Sequence, residues 1–289
     1  MSGLIFCHII SLKGSEAMSQ DLNRGEFIKT AAAGVLAISA INFLPEKAFA
    51  ADNLSVKTRY GTFKGFIDEQ GVKNWLGITF AQPPVGKLRW QAPQPLKSSN
   101  KSFDAKKYGN DPMQASMKLG NLVDGFTTTE NEDCLTLNIF TGGKKKNLPV
   151  MVWIYGGGFV CGHSSEPTYN ASNFVSAHDV VIVTLNYRMN VFGFMNLASV
   201  DSSFEDSGYL GLKDQIAALT WIKENIAEFG GNPDNVTIFG ESAGSISCML
   251  LTVTPAAKVC SKKQFRSRDL RDLFMICNMP PNLRKILWI

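Results

Sequence analysis

Histidine is scarce. The chain has three, His8, His163 and His178, and everything beyond residue 178 is without an imidazole. Cysteine offers no framework either. Cys7 precedes a leader-like segment, Cys260 and Cys277 lie in a basic tail, and Cys134, Cys161 and Cys248 remain as an odd set. With no Cys-x-x-Cys and no cluster of histidines, neither a disulfide scaffold nor a metal site is expected, and no cofactor is implied. Long apolar runs are missing as well. The uncharged stretch from Thr30 to Pro45 has sixteen residues, too few for a stable membrane span. A basic face for nucleic acid is also excluded, because the net charge of +4 is local. Residues 259–289 hold seven Lys/Arg against two Asp/Glu, so the other 258 residues carry 22 against 23.

What is present is ordinary for a soluble globular enzyme: 45% hydrophobic and 19% charged residues, in a chain long enough for one large domain or two modest ones. Residues 1–17 read as leader, and Met18 as a start. Arg24 and Lys29, the uncharged stretch and Ala48-Phe49-Ala50 then form a secretory signal, with cleavage expected after Ala50 and export to follow. The stretch Asn23 to Lys29 resembles a twin-arginine motif with Gly25 in place of the second arginine, so the export route stays open. The competing reading of this segment is a buried N-terminal helix.

Residues 55–67 alternate around Tyr60-Gly61 as a β-hairpin, and Trp75 to Ala81 reads as a third strand, ended by Pro83-Pro84. Residues 97–133 read as polar loop. Leu135 to Phe140 alternates as a strand, whereas Val150 to Tyr155 and Val180 to Leu185 are continuous apolar runs, as strands buried on both faces should be. Leu212, Ile216, Leu219, Ile222, Ile226 and Phe229 step by threes and fours along one helical face, with Gly230 placed to end it. Strands alternating with helices imply an α/β fold: a mostly parallel central sheet with helices on both faces, extended by the N-terminal hairpin.

The chemistry concentrates at Val236 to Gly244. Val236 to Phe239 reads as a buried strand and an apolar helix begins behind Gly244 (Ile246, Met249, Leu250). A Gly-x-Ser-x-Gly between strand and helix is a nucleophile elbow, whose tight turn thrusts out the hydroxyl of Ser242 and tolerates only small residues two positions away. A serine attacking a carbonyl needs donors for the oxyanion. Gly156-Gly157-Gly158, after the 150–155 strand, supplies them: the N–H groups of Gly157 and Gly158, joined by that of Ala243 beside the nucleophile.

These pieces resemble the type-B carboxylesterase (cholinesterase-like) family of α/β-hydrolases, in its N-terminal half. The matching segments run from about residue 54 to 258: LGITFAQPPVGKLRW, Glu132 to Asn138, IYGGGF, LNYRMNVFGF, GLKDQIAALTWIKENIAEFGGNP and VTIFGESAG. The resemblance implies hydrolysis of a small carboxylic ester, with Ser242 as nucleophile and Gly157, Gly158 and Ala243 as the oxyanion hole. It also suggests an Arg89–Glu132 ion pair, against which two separately solvated charges stand as an even alternative. The family's loop disulfide would join Cys134 to a cysteine near Met113, and that partner is absent, which leaves Cys134 as a free buried thiol. Residues 113–134 contain no tryptophan to hold a choline ammonium, so a choline-ester specialist is not expected. Glu241 either shapes the field at the serine or is a plain structural carboxylate.

Such hydrolases order their triad Ser, then acid, then His. Here all histidines precede Ser242, and the acids after it are Asp269 and Asp272. For His163 a surface or packing role is favoured over a substitute base. Family pattern holds to Lys258 and stops. The domains are therefore read as leader and signal (1–50), the N-terminal part of a C-terminally truncated hydrolase domain (51–258), and an aberrant tail (259–289) that is either a frameshift product or a genuine terminus. The truncation is expected to leave the strand before the elbow as an unpaired sheet edge, the chain poorly soluble and esterase turnover impaired. The alternative is a catalytically inactive fragment or a cholinesterase-like binding or adhesion module. Ester chain length and oligomeric state are not written in the sequence.

Overall fold

The computed structural model describes residues 54–114, 129–143, 145–260 and 274–277; the segment read as leader and signal (1–50) and most of the tail lie outside the described residues. Strands β1 (Ser55–Thr58) and β2 (Gly61–Lys64) fold back across Arg59-Tyr60, with Thr58 opposite Gly61. The chain then enters β3 (Phe66–Ile67), β4 (Lys73–Thr79) and the short β5 (Ser102–Asp104). Next come β6 (Thr136–Thr141), β7 (Leu148–Ile154), helix α1 (Ser172–Ala177), β8 (Val181–Leu185), α2 (Asn190–Phe194) and α3 (Leu210–Asn225). Last are β9 (Gly231–Glu241), α4 (Ala243–Val253) and β10 (Phe274–Cys277).

The hairpin does not extend the central sheet. β1 and β2 form a separate three-stranded sheet with β5, which runs parallel to β2. The reason lies in what covers the hairpin's apolar face. Phe63 stacks on Phe103 of β5 (ring centroids 5.6 Å apart) and sets its edge against Trp221 of α3 (6.4 Å). Arg59 completes the attachment through Glu224 of the same helix (2.7 Å). Only β3, beyond Gly65, continues into the larger sheet.

That sheet has the order β10-β9-β7-β8-β6-β4-β3. Parallel pairing is confined to its centre, β9-β7-β8; the flanking pairs are antiparallel, so the sheet is mixed. Helices cover both faces, as alternation along the strands shows. Val150, Val152, Ile154, Val181, Val183 and Leu185 belong to one apolar cluster with Leu219 and Ile222 of α3 and Leu251 of α4. The residues between them, Met151 and Ile182, belong to a second cluster with Val175 of α1. Each such side chain contributes roughly 1.5–3 kcal/mol on burial.

Helix α3 ends as the sequence indicates. Its apolar face passes into a 3-10 turn, Ile226–Phe229, and Gly230 at φ +90° caps it in the left-handed conformation. The chain reverses there into β9, where the ammonium of Lys223 holds the Pro233 carbonyl (3.0 Å) and the Asp234 carboxylate (2.7 Å). Beyond the elbow the expected unpaired edge is not found. β10 lies antiparallel along β9, from Phe274 opposite Glu241 to Cys277 opposite Ile238. A strand edge presents a row of backbone donors and acceptors, and an extended segment satisfies them wherever it comes from. Among the described residues no helix is long and apolar enough to cross a membrane.

Candidate active site

Two parallel strands bring the site together. Ile154 at the end of β7 is opposite Gly240 near the end of β9, so the loops leaving these strands start as neighbours. Ser242 is the only residue between β9 and α4. It holds φ +53°, ψ −121°, a conformation that L-residues avoid, and it is partly exposed. Its carbonyl accepts the N–H groups of Ser245 (2.9 Å) and Ile246 (3.1 Å) and so starts the helix.

The flanking glycines have a steric reason. A Cβ on Gly240 would sit 2.5 Å from the Ile154 carbonyl oxygen, and one on Gly244 only 2.0 Å from that same oxygen. Helix α4 is thus drawn against the end of β7 with no room for a methyl group. On the facing loop, a Cβ on Gly156 would meet the Glu241 carboxylate at 2.6 Å and the Ser242 Cβ at 3.0 Å, so the triple-glycine segment packs on the elbow itself.

Gly157 (φ +102°), Gly158 (φ +62°) and Phe159 (φ +63°) form a run of three positive-φ residues. The Gly157 carbonyl accepts the N–H groups of Val160 (3.0 Å) and Cys161 (3.2 Å), closing a tight turn. The N–H groups of Gly157, Gly158 and Ala243 have no acceptor among the described residues, nor has the Ser242 hydroxyl a partner there. Behind the loop, Tyr155 and Tyr187 stack at 4.7 Å, and the Tyr187 hydroxyl donates to the Tyr155 carbonyl (3.0 Å).

Partial burial shifts the pKa of the Glu241 carboxyl upward. Arg89 and Glu132 form a two-pronged ion pair, Nε to Oε2 at 2.6 Å and Nη2 to Oε1. The open question of two separate charges is thereby closed. Cys134 is a buried free thiol, and burial drives its pKa far upward. A recess beside it is lined by Pro84, Arg89, Trp90, Met113 and Arg188 but includes neither Ser242 nor the glycine loop.

His163 is fully buried. Its Nδ1 lies 2.7 Å from Ser165 Oγ and 3.4 Å from Asp111 Oδ1, and the Ser165 hydroxyl donates to Asp111 (2.9 Å). The residue types are those of a triad, but Ser165 stands between the other two and is buried with them, closed to any substrate. Burial holds the imidazole below its usual pKa, against the pull of Asp111 and Glu130. His178 packs against Phe174 with the ring centroids 4.7 Å apart and the planes tilted by 50°. Among the described residues no group of His, Cys, Asp or Glu could hold a metal ion.

Three features escaped the reading of the sequence. Arg188 and Asp214 form a buried pair (Nη2 to Oδ1 2.7 Å, Nε to Oδ2 2.8 Å), and Gln114 and Asn190 hold the glycine loop from outside. Asn190, Arg188 and Asp214 lie inside motifs already singled out, so the signal was present without a role attached.

A model of the carboxylesterase family matches residues 52–266. The para-nitrobenzyl esterase of Bacillus subtilis is 48% identical over 204 residues, covering 70% of this chain and 41% of that protein. The acetylcholinesterase of Electrophorus electricus is 41% identical, covering 71% of this chain and 34% of that one. Among solved structures, a thermophilic para-nitrobenzyl esterase superposes with a TM-score of 0.68 at 47% identity, covering 73% of this chain and 43% of that chain. A carboxylesterase of Geobacillus stearothermophilus gives 0.65 at 43% identity, covering 72% and 42%. The chain spans about two fifths of the length of these bacterial esterases. The family match over residues 52–266, together with these superpositions, shows that the chain belongs to the carboxylesterase family and has the α/β-hydrolase fold.

Proposed function

We propose that this chain supplies the nucleophile and oxyanion hole of a serine carboxylesterase. Ser242 Oγ attacks the carbonyl carbon of a small carboxylic ester. The carbonyl oxygen becomes an oxyanion facing the N–H groups of Gly157, Gly158 and Ala243, the alcohol leaves with a proton, and water later releases the acyl group from the serine. The observation that carries this reading is the strained Ser242 beside Gly157 and Gly158, whose N–H groups have no acceptor among the described residues. A fixed, unsatisfied donor set is what a developing charge requires, and it costs no reorganisation at the moment of reaction.

One observation favours a second reading, a catalytically silent member of the family. The Ser242 hydroxyl has no base among the described residues: His163 is sealed behind Ser165, and His178 packs against Phe174. Without its base, a serine hydrolase keeps roughly 10³–10⁴-fold over water from its oxyanion hole and binding. Hydrolysis of p-nitrophenyl acetate by the full chain, compared with Ser242→Ala, separates the two. A rate that falls in the variant supports serine chemistry; equal rates rule it out. Export with cleavage after Ala50 belongs to the same proposal, and N-terminal sequencing of the extracytoplasmic product tests it.

A further inference from the structure

The glycine loop has little to hold it in place. Its one internal tie is the turn closed by the Gly157 carbonyl, and three consecutive residues sit at positive φ. What holds it comes from elsewhere. The Gln114 amide brackets the backbone of Gly162: its Oε1 accepts the Gly162 N–H at 2.7 Å, and its Nε2 donates to the Gly162 carbonyl at 3.2 Å. The same Nε2 donates to the Pro112 carbonyl at 3.1 Å, which fixes the side chain to its own segment. At the other end of the turn, the Asn190 N–H donates to the Phe159 carbonyl (2.7 Å), while the Asn190 side chain donates to the Met113 carbonyl (2.6 Å). Behind both ties, Ser165 is bonded to Asp111 in the buried cluster with His163.

We infer that Gln114 and Asn190 are positioning residues for the oxyanion hole, clamping the two ends of the Phe159–Gly162 turn to the 110–114 segment so that the Gly157 and Gly158 N–H groups keep their aim. The inference rests on the serine esterase reading and deepens it. Neither residue touches the reacting atoms: Gln114 holds the loop through its side-chain amide, and Asn190 through its main-chain N–H, while its own side chain is tied to the Met113 carbonyl. The clamp matters because a positive-φ run has near-equal alternatives once its ends are free. A shift of about 1 Å in a donor costs on the order of 100-fold in rate.

The test uses the full chain, with p-nitrophenyl acetate turnover and the rate of Ser242 modification by a fluorophosphonate as readouts. Gln114→Leu keeps the volume and removes both bonds to Gly162. It lowers kcat and the phosphonylation rate by roughly 10- to 100-fold, with KM within about twofold of the parent. Amide hydrogen exchange across residues 156–162 accelerates in the same variant. Gln114→Glu keeps the acceptor for the Gly162 N–H and loses the donor to its carbonyl. A protonated carboxyl donates again, so the variant-to-parent rate ratio rises as the pH is lowered toward about 5. A group that merely supports the fold would lower the melting temperature and leave that ratio flat. If the parent reacts and both Gln114 variants match it at every pH, the clamp is overturned while the esterase reading stands. If the parent and Ser242→Ala are equally unreactive, the esterase reading falls and the clamp falls with it. If Gln114→Leu does not fold, the pH profile of Gln114→Glu decides.

Discussion

Replacing Ser242 by glycine should make the protein more stable, and replacing it by alanine should not. Ser242 holds φ +53°, ψ −121°, where any residue with a Cβ is strained by about 1–3 kcal/mol. Glycine relieves that strain but loosens the unfolded chain, at a cost of about 0.4–1 kcal/mol. The net gain is about 0.5–2 kcal/mol, and at about 2–4 °C per kcal/mol the melting temperature rises by about 1–8 °C. Ser242→Ala keeps the Cβ and therefore the strain. The hydroxyl it removes has no partner among the described residues, so its stability stays within about 0.5 kcal/mol of the parent. Both variants lose fluorophosphonate labelling. Thermal melts and urea midpoints of the three proteins, measured side by side, decide the matter. If alanine stabilises as much as glycine, the strain resides in the hydroxyl and not in the backbone, and the reasoning fails. If neither stabilises, the elbow is relaxed as it stands.

Gly157→Ala places a methyl group 2.1 Å from the Cys161 carbonyl oxygen at a φ of +102°. The loop must rearrange, and phosphonylation of Ser242 falls by about 10²–10³-fold, as on losing one oxyanion donor. Asp214→Asn leaves Arg188 buried without its counter-charge and destabilises the fold by about 3–5 kcal/mol, read from urea midpoints. On α4, Ile246, Met249, Leu250 and Val253 are exposed at helical spacing, a solvent-facing apolar stripe. Ile246→Lys with Leu250→Glu raises the soluble fraction on expression and leaves labelling of Ser242 unchanged; an unaltered soluble fraction would show that the stripe does not drive insolubility. Burial alone would raise the Asp68 carboxyl, but hydrogen bonds from Ser172, Asn74, Val72 and Gln70 outweigh it and hold the pKa below the usual value. Its contribution is therefore present above the unfolded pKa and is lost as the pH falls through the folded one. Asp68→Asn removes that part of the acid sensitivity in a stability-against-pH series.

The elbow, the glycine loop and the α3 terminus could be read from sequence because each depends on a few adjacent residues. Gly230 ends a helix whether or not the rest of the domain is known. The direction of the strands could not be read. β6 is buried at all six positions, Thr136, Asn138 and Thr141 included, although its neighbours β4 and β8 run antiparallel to it. With both faces of a sheet covered, an antiparallel strand loses its wet side, and burial no longer distinguishes the two kinds of pairing. The three residues of β5 are all exposed, so no apolar pattern marks them, and their place is set by the contact of Phe103 with Phe63. Gln114 and Asn190 act through bonds to distant backbone and Asp111 through the distant Ser165 hydroxyl, and sequence spacing carries no trace of such partners.

Lys223, drawn across to the Pro233 carbonyl and the Asp234 carboxylate, has a consequence for how this protein meets copies of itself. β9, which leads into Ser242, is the longest strand of the sheet among the described residues, and a long strand near a sheet margin invites a second molecule to add its own. Over its first residues it makes a poor template. Pro233 has no amide hydrogen to offer, its carbonyl is already taken by an ammonium, and a carboxylate stands next to it. Fibril-like stacking is thus discouraged at the beginning of β9, and any self-association along this margin is directed toward its far end, where β10 already occupies the register from Ile238 to Glu241.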